Sequence, residues 1–192
     1  MLDNLKKYRI ILGSNSPRRQ ELLKGIRVDF EVIPTDADEH LPAHIQGIEV
    51  AGYLAERKAD SYKHIITEQD LLITADTIVL YENRILGKPH NKQEATEMLH
   101  FLSGKTHQVV TGVCISTINR RHIFHTVTEV KFSNLTEEEI DYYIENYKPY
   151  DKAGAYGVQE WIGFIAVEHI NGSYFNVMGL PIQKLYQELK KW

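Results

Sequence analysis

The chain has 192 residues, of which 43% are hydrophobic and 25% charged, and it carries a net charge of −4. That length suits one generous domain, or one domain with a small lobe, and the charge balance excludes bulk attraction to nucleic acid or to an anionic membrane. No run approaches the roughly 18 apolar residues of a membrane span, the N-terminus lacks the apolar region of a secretory signal, and the single Cys114 has no internal partner, so a reducing, cytoplasmic setting is expected.

In chain order, Ile10–Leu12 is an apolar run that reads as a buried strand. Gly13, Ser14, Asn15 and Ser16 form a polar turn, and Ser16-Pro17 suits an N-cap followed by the first helical position. Leu22, Leu23 and Ile26 then follow at helical spacing. A strand feeding a helix through such a turn leaves backbone N–H groups facing one point, backed by the positive end of the helix dipole. Ser14, Ser16, Arg18 and Arg19 gather at the same place. Arginines in a first turn oppose the dipole, which points to an anion supplying the missing charge, a phosphate chain fitting best.

Val28–Pro34 alternates like a short strand and leads into a polar stretch with Asp36, Asp38 and Glu39. Ordinarily such a run is a solvated loop, but its place after the second strand would let its carboxylates return to the rim where the first loop ends. Gly47–Tyr62 has helical spacing, with Lys58 in its last turns, where a lysine ordinarily complements the dipole. Leu71–Tyr81 reads as a long strand buried on both faces and interrupted by Thr74, Asp76 and Thr77. An aspartate inside such a run is costly without a partner, and no counter-charge is adjacent in sequence, so Asp76 is a candidate functional acid.

Gly87-Lys88-Pro89 places Lys88 on a bend. Asn91 and Glu94 have the spacing of a capping box ahead of Ala95, Met98, Leu99 and Leu102. Thr106–Ile118 and His122–Phe132 read as a hairpin, and Thr136 and Glu139 as a second capping box, with Ile140, Tyr143, Ile144 and Tyr147 on one face before Pro149. The glycine-rich run 150–181 is expected to hold short strands, after which Pro181 opens a last amphipathic helix. The order of elements predicts an α/β fold on a long mixed sheet.

The nine histidines show no metal-binding spacing, and the Walker, Gly-x-Gly-x-x-Gly and Gly-x-Ser-x-Gly patterns are absent. What remains is a phosphate cradle, two isolated lysines and two acids. Oxygen ligands without thiolates favour a hard divalent cation over zinc. The residues by themselves therefore indicate metal-assisted phosphoryl or nucleotidyl hydrolysis.

At this point the chain resembles the Maf-like nucleoside triphosphate pyrophosphatases. The matching blocks are Ser14–Arg19 with Glu21-Leu22-Leu23, Asp38-Glu39, Leu54-Ala55 through Lys58-Ala59, and Ala75-Asp76-Thr77. They continue with Gly87-Lys88-Pro89, Leu102-Ser103-Gly104, Thr111-Gly112-Val113, Asp151–Gln159, Gly172-Ser173 and Gly179-Leu180-Pro181. The resemblance implies one domain over residues 1–192, with a fold similar to the inosine triphosphate pyrophosphatases. It implies a house-cleaning enzyme that cleaves a nucleoside triphosphate between its α- and β-phosphates, uses a divalent cation (Mg, Mn or Co) and is a homodimer. Carried over residue by residue, Asp76 is the proton acceptor, Ser14, Arg18, Arg19, Lys58 and Lys88 hold phosphates, and Glu39 is linked to the metal. Arg18, Thr77 and Gln159 match the positions that mark members acting on dTTP and UTP. The rival readings are a relative preferring another base, such as 7-methyl-GTP, and a nucleotide-binding regulator of cell division. Gly13 stands where the family usually has alanine and Lys148 where glutamate is common; the first change is expected to matter little.

Overall fold

The computed structural model describes residues 2–34, 36–37 and 40–192. Its elements are β1 (Arg9–Leu12), α1 (Pro17–Gly25), β2 (Glu31–Val32), α2 (Glu49–Asp60), β3 (Asp70–Tyr81), β4 (Arg84–Leu86) and α3 (Lys92–Leu102). There follow β5 (Thr106–Ser116), β6 (Arg121–Phe132), α4 (Glu137–Tyr147), α5 (Trp161–Ala166), β7 (Val167–Asn171), α6 (Tyr174–Met178) and α7 (Ile182–Leu189). The strands join in one sheet of order β2-β1-β3-β5-β6-β7, with β4 pairing to β3. β1 is parallel to β2 and to β3, whereas β4 is antiparallel to β3 and β7 to β6, so the sheet is mixed, as expected. No described helix is long and apolar enough to cross a membrane.

The chain divides into two compact units, one made of Met1–Asp76, Thr111–Thr126 and Gly179–Trp192, the other of Thr77–Val110 and Val127–Met178. In the first unit, Ile11, Leu72, Ala55, Ala59, Tyr62 and Cys114 form a buried cluster. The small face of α2 allows a close approach to β5: a Cβ on Gly112 would lie 2.2 Å from the carbonyl carbon and oxygen of Ala51. β3 begins on a buried acid, Asp70, which accepts from Arg9 Nε (2.7 Å), Arg9 Nη2 (3.1 Å), Thr67 N (2.7 Å) and Thr67 Oγ1 (2.9 Å). Arg9 holds this carboxyl below the usual range despite its burial. Cys114 is fully buried, and burial pushes its thiol up to about 12, so it packs as a small apolar residue.

In the second unit, α3 and α4 enclose a core with Leu99, Leu102, Phe132, Ile140, Tyr143 and Tyr156. The Thr136–Glu139 capping box forms in full, and α4 ends on Lys148 in the left-handed region (φ 46°) ahead of Pro149. At α3 only half of the expected box forms. Asn91 accepts from Glu94 N, but Glu94 accepts from His90 N (2.8 Å), one residue upstream of the cap.

Two expectations are corrected. The first lower strand is two residues, Glu31–Val32, rather than Val28–Pro34, because only that pair meets β1 in register (Ile11↔Glu31, Leu12↔Val32). The glycine-rich run 150–181 holds one strand, β7, among short helices. Two of its glycines serve close packing instead: a Cβ on Gly163 would stand 1.9 Å from Val158 O, and one on Gly157 would stand 2.8 Å from Glu160 Cδ.

Candidate active site

The β1–α1 connection forms as its sequence predicts. Ile11 and Leu12 are fully buried, the chain turns through Gly13–Ser16, and Pro17 takes the first helical position. Ser16 is the N-cap, accepting from Arg19 N at 3.5 Å. Ser14 is buried, and its Oγ accepts from Ser16 N (3.3 Å) and from Arg19 Nη1 (3.3 Å). The Arg19 Nε donates to Gly179 O at 2.8 Å, so the guanidinium is fixed across the mouth of the turn. The first turn of α1 holds no acid, and Arg18 lies in it half-buried. The mouth therefore offers a helix N-terminus, a hydroxyl and guanidinium charge to one anion.

Parallel pairing brings Asp76 to the same end of the sheet. Leu12 is in register with Ile73 and Gly13 N donates to Ile73 O (2.9 Å), which sets the turn beside the residues that follow Ile73 on β3. β2 and β3 lie on opposite sides of β1, so the two crossovers part at β1, the topological position where open α/β sheets take ligands beyond their carboxyl strand ends. α2 is tied to β3 there, because Thr74 Oγ1 donates to Ala55 O (2.6 Å). One helical turn on, the Lys58 ammonium is paired directly with the Asp76 carboxylate. Both side chains are mostly enclosed, 18% and 14% exposed. The lysine bound to it holds the carboxylate in a fixed direction.

Three further candidates belong to the other unit. Thr77 follows Asp76 on β3 and is half-buried; Lys88 is exposed in the stretch after β4; Gln159 is half-buried. Gly87, beside Lys88, accepts from Gly154 N at 3.0 Å, which steadies that loop. The Gln159 Oε1 is enclosed and has no hydrogen-bond partner among the described residues. Glu39 lies outside the described residues.

The family model for Maf-like protein matches residues 9–192. The chain belongs to the Maf-like family. This Maf-like chain is 56% identical over 191 residues to a protein named dTTP/UTP pyrophosphatase from Parabacteroides distasonis, covering 99% of each chain. A protein of the same name from Bacteroides fragilis is 57% identical, covering all of both chains. Another from Flavobacterium johnsoniae is 49% identical over 97% of this chain and 96% of its own. Among solved structures, the Staphylococcus aureus Ham1 protein is a loose likeness, with a TM-score of 0.46 at 16% identity over 65% of this chain and 71% of that one.

For a metal, the donor set can be tested against the fold. Among the described residues no three His, Cys, Asp or Glu gather into a cage, while Asp76 offers one carboxylate beside the anion mouth. Hard cations of the magnesium type are commonly held by one or two carboxylates with substrate phosphates completing the shell, and these residues fit that arrangement. Two links in this arrangement were not legible in the sequence, although Lys58, Arg19 and Asp76 were each candidates there. The carbonyl of Gly179 that holds Arg19 is a backbone group and leaves no side-chain signal. The partner of Asp76 lies 18 residues upstream on α2, where Lys58 reads as an ordinary helix-end lysine.

Proposed function

We propose that this chain is a dTTP/UTP pyrophosphatase, a single Maf-like domain over residues 1–192 acting as a cytoplasmic homodimer. The observation that carries the reading is the Lys58–Asp76 pair set by parallel register beside the Ser14–Arg19 anion mouth. The names of full-length relatives at about half identity or better support the same chemistry.

In the proposed reaction, Arg18, Arg19, Ser14 and the N-terminus of α1 hold the phosphate chain, with Lys58 and Lys88 adding charge as the leaving group departs. Water attacks the α-phosphorus, the bond from that phosphorus to the bridging oxygen of the β-phosphate breaks, and pyrophosphate leaves. Asp76 takes the proton from the attacking water. Lys58 keeps Asp76 aimed until the substrate phosphates compete for the ammonium. A divalent cation, held by Asp76 and Glu39 with phosphate oxygens, would neutralise charge on the phosphates. Thr77 and Gln159 face the choice of base. The Gln159 amide carries both a donor and an acceptor, which suits the edge of a pyrimidine with adjacent carbonyl and imide groups.

The test is product analysis by ³¹P NMR across a panel of triphosphates with Mg²⁺, Mn²⁺ or Co²⁺. The monophosphate and pyrophosphate should appear, fastest from dTTP and UTP. Release of orthophosphate and a diphosphate, or no turnover at high enzyme concentration, would overturn the assignment.

A further inference from the structure

The segment Gly157–Glu160 carries Gln159 and is closed by a hydrogen bond from Glu160 N to Gly157 O (3.0 Å). Both ends of this turn are held by one buried polar unit. The Tyr143 hydroxyl, on α4, donates to Glu160 Oε2 and accepts from Gly157 N at 3.0 Å. The Lys152 ammonium, itself only 9% exposed, sits 3.0 Å from Glu160 Oε1. Burial first, and then the Glu160 carboxylate, push the Tyr143 hydroxyl well above its usual range, so it remains a donor. Packing closes the remaining freedom. A Cβ on Gly157 would meet Glu160 Cδ and Lys152 Cε, and one on Gly163 would meet the Val158 carbonyl.

A tyrosine, a lysine and a glutamate in one enclosed cluster are an expensive way to stabilise a core, since apolar residues of like volume do so as well or better. What such a cluster supplies is a defined conformation. The turn it fixes bears an enclosed amide oxygen, Gln159 Oε1, without a partner among the described residues, a state that is costly for an ordinary buried acceptor. We propose that Tyr143, Lys152 and Glu160 are positioning residues that hold Gln159 at a fixed place for reading the base. They act through Gln159 and do not touch the reacting phosphates. This inference rests on the reading of Gln159 as the base-selecting residue.

The experiment compares kcat and KM for UTP, CTP and ATP in the wild type, Tyr143→Phe, Glu160→Gln, the double variant Lys152→Met/Glu160→Leu, and Gln159→Ala. The double variant replaces the ion pair by apolar groups and guards against simple unfolding of a half-broken pair. Thermal melting is followed for each. The expected result is a fall in the preference of kcat/KM for UTP over CTP and ATP on the order of tenfold, the lower end of what pocket contacts contribute to discrimination. The change should sit in KM for UTP, with kcat at saturation kept, and should match the direction of Gln159→Ala; Glu160→Gln should retain more preference than the double variant. Folded variants whose preference equals that of the wild type, or that lose kcat equally on all three substrates, would overturn the proposal. Failure of the functional reading looks different: the wild type itself would then show no preference for UTP, or Gln159→Ala would leave the preference intact.

Discussion

His107 gives a pH dependence of stability that can be worked from its surroundings. Its ring is buried, edge-on to Phe132 (5.0 Å) and Tyr156 (5.5 Å), with Nε2 bound to the Tyr156 hydroxyl at 2.8 Å. Its Nδ1 has no partner among the described residues, and burial pushes the imidazole from 6.5 down to about 4. The folded chain therefore refuses a proton that the unfolded chain accepts. The stabilisation from a neutral His107 is complete above pH 6.5 and is lost as the pH falls towards 4. A shift from 6.5 to 4 corresponds to about 3 kcal/mol in all, of which about 2 kcal/mol is lost by pH 5. Urea unfolding of the wild type and of His107→Gln, from pH 7.5 to pH 5, isolates this effect, because the exposed histidines cancel in the comparison. The variant starts less stable, and its stability should fall with acid by about 2 kcal/mol less than that of the wild type. Parallel stability curves for the two proteins would refute the assignment of a buried neutral imidazole.

Other expected outcomes follow from the same coordinates. Asp76→Asn should keep the circular dichroism spectrum and lose turnover by on the order of 10²-fold or more, read by pyrophosphate release; turnover at the wild-type rate would give Asp76 another role. Asp70→Ala removes four hydrogen bonds at the start of β3 and should cost about 2–3 kcal/mol in urea. Because Arg9 lowers this carboxyl, the contribution of Asp70 is present above the ordinary aspartate range and fades as acid protonates it, so the wild type and variant should converge at low pH. Gly112→Ala drives a methyl into the Ala51 peptide. Rigid backbone cannot yield as a side chain can, so this change should cost more than the roughly 1–3 kcal/mol of ordinary overpacking, seen as a lowered melting temperature or loss of soluble protein.

Much of the chain was legible wherever its signals are local. Ser16 and Pro17 act within one turn of each other, and Thr136 and Glu139 close a box over three residues. The apolar run of β3 declares a buried strand whatever its neighbours do. Legibility failed where the cause is distant or shared. The counter-charge of Asp76 arrives from α2, and nothing in the spacing of Lys58 distinguishes it from a solvated lysine. Glycines in 150–181 look alike on paper, whether they permit a turn or, like Gly163, make room for a carbonyl. His107 was one of nine histidines with no pattern, and its burial is decided by aromatic residues 25 and 49 positions away in sequence.

Gly13 is hemmed in by two side chains. The Tyr62 hydroxyl runs beneath it to reach the carbonyl of Ile33, and a methyl group on Gly13 would stand 2.8 Å from that hydroxyl and 2.8 Å from Thr74 Cγ2. The exchange is thus far from neutral in this chain, contrary to what the sequence suggested. Placing alanine here should crowd the Tyr62 hydroxyl and weaken its tether on Ile33. A methyl group here needs both Tyr62 and Thr74 to yield, so position 13 has to be exchanged together with positions 62 and 74.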